Sequence, residues 1–151
     1  MQVDTASALV TKQISDIPGS VVQALTLDSR GSLWVGTLDG LLEVNTQAAQ
    51  IKRSVTQLKG RNILSARFDK VGSVWVGTND GLFRLNPYNG AVVGRVGSLP
   101  SSQILAVSPD IANKLWVGTS DGLAWVSMSN YKSQPHLTFS RSNASSKTQE
   151  K

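Results

Sequence analysis

Residues 33–41 read LWVGTLDGL, and two later stretches, VWVGTNDGL at 74–82 and LWVGTSDGL at 115–123, repeat them almost letter for letter. Their tryptophans, Trp34, Trp75 and Trp116, are 41 residues apart both times. The agreement runs without a gap through residues 21–45 and both copies of that segment. A fixed period of this length marks a repeat architecture in which each unit is one supersecondary motif.

The composition of each unit predicts strands. Short runs rich in β-branched, aromatic and other apolar residues are separated by Asp-Gly, Gly-Ser or Asn-Gly, and no apolar spacing of about 3.6 residues is sustained. In the first unit the strands are expected at 21–27, 33–37, 41–45 and 49–56, with a tight hairpin at Asp39-Gly40. Four antiparallel strands in every 41 residues predict a β-propeller blade. The fold class is therefore all-β, with three four-stranded antiparallel repeats.

The two ends of the chain set the expected domain organisation. Residues 1–130 form a three-blade segment, and residues 131–151 form a polar C-terminal tail with one possible extra strand. A lone strand at 9–14 resembles the fourth strand of a preceding blade, and either this strand or residues 137–139 could complete the third blade. Closed propellers have about four to eight blades, so we expect either self-association, with a dimer giving six blades, or a larger ring.

Charge and cysteine content narrow the function classes. The net charge is +5, but the basic residues are scattered and Lys52-Arg53 is their only adjacent pair, so a nucleic-acid partner is not expected. The absence of cysteine excludes a disulfide framework and a thiolate metal site. No signal peptide and no apolar run of about 20 residues is found, so a soluble chain without membrane insertion is expected, cytoplasmic as written or periplasmic if a fragment of a sensor.

The three tryptophan segments resemble the two-component regulator propeller repeat, in which a Gly-x-Leu-Trp-Val-Gly-Thr-x-x-Gly-Leu core recurs in each blade. The stretches PGSVV at 18–22 and PSSQI at 100–104 also look like its inter-blade segments. The resemblance covers about residues 9–127. It implies a β-propeller that senses a ligand or docks a protein in signal transduction, as in the extracytoplasmic part of hybrid histidine kinases. This chain has many fewer repeats and no kinase region.

Most of the repeated residues are expected to be structural. We assign Trp34, Trp75 and Trp116 to packing between neighbouring blades rather than to an aromatic ligand cage. Asp at the end of each first strand is expected to bind its own turn rather than calcium. The structural repeat core consists of Trp34, Trp75, Trp116, Gly36, Gly77 and Gly118.

Candidate contacts for a ligand or partner lie where the repeats differ. The loops between blades and the second-to-third-strand hairpins should share one face of the propeller, and solvated loops without a binding role are the alternative. The candidates on this face are Lys59, Arg61, Asn62, Asn79 and Gln103.

No residues assemble an obvious catalytic set, because the chain has a single histidine, His136, in its least regular segment. No catalytic residue, metal or cofactor is therefore assigned. The sequence predicts a non-catalytic binding or scaffolding module whose partner is a protein or a small molecule. A structural subunit of a larger complex and a small propeller hydrolase or lyase are the alternatives.

Overall fold

The computed structural model describes residues 2–4, 9–12, 14, 17, 21–129 and 133–137, and it describes strands 2–4, 9–12 and 133–137 by their backbone. Within this part of the chain, a 3₁₀ turn at Thr56–Leu58 is the one helical element. The strands are β1 (Gln2–Asp4), β2 (Leu9–Lys12), β3 (Val22–Leu27), β4 (Ser32–Thr37), β5 (Gly40–Asn45), β6 (Gln50–Ser54), β7 (Ile63–Phe68), β8 (Val74–Thr78), β9 (Gly81–Leu85), β10 (Val92–Val96), β11 (Ile104–Pro109), β12 (Lys114–Thr119), β13 (Gly122–Ser127) and β14 (Ser133–Leu137).

Three four-stranded antiparallel sheets follow one another along the chain. Their strand orders are β3-β4-β5-β6, β7-β8-β9-β10 and β11-β12-β13-β14. The first strands begin at residues 22, 63 and 104, so the 41-residue period of the sequence is also the period of the structure. The prediction of an all-β fold built from propeller blades is confirmed. We call the sheets the first, second and third blades.

The outer strand of the third blade comes from the C-terminal part of the chain. Strand β14 pairs with β13, whereas β2 forms a separate two-stranded sheet with β1. The sequence suggested two candidates for this outer strand, residues 9–14 and residues 137–139. The C-terminal candidate forms it, but the strand spans 133–137 instead of 137–139. Pro135 lies in this strand, and an edge strand tolerates proline because one side of it makes no ladder hydrogen bonds.

The hydrophobic core lies between blades. One cluster packs Trp34 and Leu41 of the first blade against Val74 and Val76 of the second. A second cluster packs Trp75 and Leu82 of the second blade against Leu115 and Val117 of the third. The first and second blades therefore each bury one face of their middle strands against the blade that follows, as in propeller packing.

Two glycines allow the blades to approach closely. A Cβ atom on Gly36 would lie 2.4 Å from Ile63 Cγ2, and a Cβ atom on Gly77 would lie 2.6 Å from Ile104 Cγ2. Real Cβ atoms do not come so close to a neighbouring carbon, so a larger residue here would push the next blade away. The first strand of one blade thus packs on a glycine of the blade before it.

Candidate functional site

One face of the blades is formed by the inter-blade loops, residues 55–62 and 97–103, and by the tips of the β4–β5, β8–β9 and β12–β13 hairpins. We call it the loop face. Main-chain hydrogen bonds tie each hairpin tip to a loop, which fixes the positions of both. These bonds join Gly60 N to Asp39 O (2.9 Å), Asn79 N to Asn62 O (3.1 Å), Gly81 N to Ser102 O (2.7 Å) and Ser120 N to Gln103 O (3.2 Å).

The hairpin tips are built identically in the three blades. In the first, the Thr37 hydroxyl donates to the Gly40 carbonyl and accepts from the Asp39 amide at 3.1 Å. Gly40 has φ of 135°, a conformation that side chains disfavour. Equivalent bonds are made by Thr78 and Thr119. The Gly-Thr-x-Asp-Gly run of the repeat is therefore a turn fixed by its own hydrogen bonds, and its aspartates are exposed.

The second hairpin tip carries a cluster of charges over an aromatic ring. Asp80 Oδ2 accepts from Arg61 Nη1 at 2.6 Å, and Asp80 Oδ1 lies 3.5 Å from Arg95 Nη2. Both guanidinium groups lie over the Phe83 ring, 5.0 and 5.2 Å from its centre. The Arg61 hydrogen bond lowers the pKa of the Asp80 carboxyl below its ordinary value, so this group stays ionised at neutral pH.

The five candidate contacts all lie on or beside this face, in three settings. Arg61 is held by Asp80, as described above. Asn62 and Asn79 bind each other, since the Asn79 side chain accepts from the Asn62 amide at 3.2 Å, and Asn62 Oδ1 also accepts from the Gln23 side chain. Lys59 and Gln103 are exposed. The structure therefore places Arg61, Asn62 and Asn79 together at the junction of the first and second blades, and it places Gln103 at the next junction.

A cavity of about 260 Å³ opens between the first strands β3, β7 and β11. Its lining includes Gln23, Leu25, Ser65, Arg67 and Leu105. These residues lie on the first strand of each blade. A second hollow of about 220 Å³ lies on the loop face beside Arg95 and residues 96–99.

On the opposite face, each first strand ends in an aspartate that binds its own turn and its own tryptophan. Asp28 Oδ1 accepts from the Arg30 and Ser32 amides, and Asp28 Oδ2 accepts from Trp34 Nε1 at 3.1 Å. Asp69 and Asp110 make the same bonds to Trp75 and Trp116, at 2.7 and 2.9 Å. The turn bonds were expected, whereas the indole bond was not. The sequence feature that could have predicted the indole bond is the constant separation of six residues between Asp and Trp in all three copies.

Hydrogen bonds of this kind lower the pKa of two of these carboxyl groups, those of Asp28 and Asp110. Burial would raise the pKa of Asp28, but the hydrogen bonds from Trp34, Arg30 and Ser32 together lower it below its ordinary value. The Trp116 hydrogen bond likewise lowers the pKa of Asp110. The repeated aspartates therefore act as hydrogen-bond acceptors for their own turns and tryptophans.

A buried acid at the junction of the first two blades escaped the sequence analysis. The Glu43 side chain is 0% exposed and is surrounded by three cations: Arg53 Nε at 2.7 Å, Arg30 Nη2 at 3.1 Å and Lys52 Nζ at 3.4 Å. Arg30 also donates to the carbonyl of Pro87 in the second blade at 2.6 Å and lies 4.9 Å from the Tyr88 ring centre. Arg30 thereby links the two blades, and the buried Glu43 carboxylate is not accessible to a ligand.

The third blade has a different arrangement at the equivalent positions. Glu43 is replaced by Trp125 and Ser32 by Lys114, and the Lys114 ammonium lies 4.6 Å from the Trp125 ring centre and 5.9 Å from that of Trp116. Trp34 and Trp75 are both 0% exposed, whereas Trp116 is half-buried. Of the three repeat tryptophans, Trp34 and Trp75 lie between blades, whereas within the described part of the chain no further blade follows the side of the third blade that carries Trp116.

The match to a known protein family falls on the first copy of the repeat. Residues 16–39 match the sequence model of a family described as two component regulator propeller. This segment is similar to a two-component regulator propeller repeat. The matched residues include β3 and β4 with Trp34, and the structure repeats these two strands in the second and third blades. No curated protein matches the sequence.

Solved structures with the same fold include an extracellular domain assigned to a hybrid two-component system, BT4673 of B. thetaiotaomicron. It shares 26% identity with a TM-score of 0.71 over 85% of this chain. The chain spans only 18% of that domain. PorZ, a surface component of the type-IX secretion system of Porphyromonas gingivalis, matches 71% of the chain and 17% of its own length at 22% identity with a TM-score of 0.63.

The structure of hydrazine synthase of Kuenenia stuttgartiensis matches at 9% identity and a TM-score of 0.69. The match covers 87% of this chain and 39% of the hydrazine synthase chain. At such identities, the likeness to PorZ and hydrazine synthase concerns the fold alone. Among the residues that the structure describes, no helix is long and apolar enough to cross a membrane.

Proposed function

We propose that this regulator-propeller segment is a non-catalytic recognition module of an extracytoplasmic sensor, and that its loop face binds a polar ligand. The observation that carries the proposal is the rigid construction of this face. Its hairpins and loops are fixed by main-chain bonds, while the side chains of Lys59, Asn79 and Gln103 are exposed to solvent. Binding through pre-positioned groups avoids the entropic cost of ordering loops on association.

The chemistry of the face favours binding over catalysis. Its acid at the second hairpin, Asp80, is ionised and paired with Arg61, so it is a poor proton donor at neutral pH. Arginine, lysine and amide side chains instead supply hydrogen-bond donors, which suit a ligand rich in hydroxyl, carbonyl or carboxylate oxygens. The location outside the cytoplasm rests on the similarity to the extracellular domain of BT4673.

The test is a binding screen of the purified chain against arrays of neutral and acidic oligosaccharides and peptides. The test variant is Lys59→Ala/Gln103→Ala, which removes two exposed side chains of the loop face. The control is Lys70→Ala, which removes an exposed lysine from the opposite face. We expect the double variant to weaken any hit at least tenfold and the control to leave it unchanged.

Two results would contradict the proposal. Equal effects of the test and control variants would show that the loop face does not bind. Conversion of a bound oligosaccharide or peptide into a product, followed by mass spectrometry, would show that the module is an enzyme.

A further inference from the structure

We propose that the hollow beside Arg95 on the loop face binds a carboxylate group, and that the Arg95 guanidinium holds it. The inference deepens the proposed function and rests on it, because it names the chemical group that the loop face recognises. The hollow has a volume of about 220 Å³ and is lined by Gly81, residues 95–99, Ser101 and Ser102. All of these residues belong to the second blade or to the loop that follows it.

Comparison with the first blade shows what is special about this place. Gly40 and Gly81 are equivalent hairpin glycines. A Cβ atom on Gly40 would lie 3.1 Å from the carbonyl oxygen of Leu58, so the main chain of the following loop covers this glycine. The nearest atoms to a Cβ on Gly81 are instead Nε and Nη2 of Arg95, at 3.0 and 3.1 Å. The residue equivalent to Arg95 in the first blade is Ser54, so the second blade presents a guanidinium where the first presents packed main chain.

The Arg95 guanidinium is held in place and still has donors to offer. It lies 5.2 Å from the centre of the ring of Phe83, its cross-strand partner, and Nη2 donates to the Asp80 carbonyl at 2.9 Å. Within the described part of the chain, Nε and Nη1 of Arg95 donate to no acceptor. An arginine that is already oriented loses little side-chain entropy when it binds a planar carboxylate through its remaining N–H groups.

The charges around the hollow favour an anion. Arg61 and Arg95 share one acid, Asp80, whose carboxylate lies 2.6 Å from Arg61 Nη1 but 3.5 Å from Arg95 Nη2. Asp80 therefore compensates Arg61 more closely than Arg95, and the three groups together carry a net positive charge. Among the described residues that line the hollow, none is acidic. The Arg95 side chain is 52% exposed, so a ligand can reach it from solvent.

Two hydroxyl groups line the same hollow on a loop of fixed position. The Ser101 hydroxyl bonds the Ser120 hydroxyl at 2.8 Å and accepts from the Gln103 amide at 3.1 Å. The Ser102 carbonyl accepts from the Gly81 amide at 2.7 Å, while the exposed Ser102 hydroxyl donates to no described residue. A carboxylate has two oxygens with about four acceptor positions, which an arginine and a neighbouring hydroxyl can share.

The experiment is a nuclear magnetic resonance titration of the purified chain with acetate and, separately, with acetamide at constant ionic strength. The two probes have nearly the same shape, but only acetate carries a charge. We expect acetate to shift the backbone amide signals of residues 95–102 and the Arg95 Nε–H signal along a saturable curve. Acetamide should leave these signals in place.

The test variant is Arg95→Gln, which removes the guanidinium and keeps a polar side chain. It should weaken acetate binding about fivefold or more, as expected for the loss of a charge-assisted hydrogen bond. The matched control is Arg67→Gln, which removes the same charge from an exposed arginine of β7 on the lining of the other cavity. The control should leave the affinity at residues 95–102 unchanged. Circular dichroism establishes that both variants remain folded.

Three results would overturn the carboxylate site. They are an absence of acetate-dependent shifts at residues 95–102, equal binding of acetate and acetamide, and equal losses in Arg95→Gln and Arg67→Gln, which would indicate an effect of net charge alone. Failure of this proposal can be told from failure of the proposed function. Insensitivity of ligand binding to Lys59→Ala/Gln103→Ala concerns the proposed function, because neither residue lines this hollow, whereas insensitivity of acetate binding to Arg95→Gln concerns the carboxylate site.

Discussion

Replacing Asp69 by alanine should destabilise the second blade more than any exposed substitution. Asp69 is 1% exposed, and it accepts hydrogen bonds from the Val71 and Ser73 amides at 3.0 and 2.9 Å and from Trp75 Nε1 at 2.7 Å. A buried donor left without its partner costs about 1–3 kcal/mol, and bonds to a charged acceptor lie at the upper end. Because the three bonds share one group, their costs do not add fully, and we expect the free energy of unfolding to fall by about 3–4 kcal/mol.

The assay is urea unfolding at neutral pH, followed by tryptophan fluorescence and circular dichroism. Asp121→Ala is the matched control, because Asp121 is exposed at a hairpin tip where its backbone amide, and not its carboxylate, binds Thr119. A surface substitution of this kind changes stability by no more than about 0.5 kcal/mol. Similar losses for Asp69→Ala and Asp121→Ala would refute the reasoning.

A double-mutant cycle with Trp75→Phe isolates the indole bond. Phenylalanine keeps a ring in the core but has no N–H to donate to Asp69. The cost of Asp69→Ala should therefore be smaller in the Trp75→Phe background than in the parent, with a coupling of about 1 kcal/mol or more. A coupling near zero would mean that the 2.7 Å contact contributes nothing to stability.

Three further outcomes are expected. Gly77→Ala should cost about 1–3 kcal/mol because its Cβ meets the next blade, whereas Gly118→Ala has room and should be nearly neutral; both are measured by urea unfolding. Glu43→Gln should cost about 3 kcal/mol, because it leaves three cations at the blade junction without their buried partner, and a neutral result would contradict this. The pKa of Asp28 is lowered in the folded state, so its stabilising effect is complete above about pH 4 and is lost as the pH falls through the folded pKa; an acid titration should show that Asp28→Asn lacks this part of the transition.

The blades were predictable because their determinants are local. The Asp-Gly hairpins join strands that are adjacent in the sequence, and the strand at 33–37 appears at Ser32–Thr37, within one residue. The repetition supports the strand assignment further, because each unit carries the same pattern of strand and turn residues. The position of the loop face followed from the direction of the strands, which places each hairpin tip beside the loop before the next blade.

The features that the sequence did not predict depend on contacts between units. Glu43 and Arg53 are cross-strand partners in β5 and β6, so a register argument would have found that pair. The approach of Arg30 depends on the turn that follows Asp28 and on the carbonyl of Pro87 in another blade. Trp116 is likewise half-buried although its own segment differs little from the other two, because among the described residues no blade packs on it as the second and third blades pack on Trp34 and Trp75.

The arginine bonds across the blade junctions have a consequence for the evolution of such rings. Arg30 and Arg84 both end on main-chain carbonyls, of Pro87 and Met128, and the receiving side chains differ completely. Every residue type carries a carbonyl, so the neighbour can drift in sequence without losing the bond. A unit that carries Arg30 or Arg84 therefore finds an acceptor for that arginine in whichever blade follows it. Rings of different size can arise from one ancestral unit without a matching substitution at each new boundary.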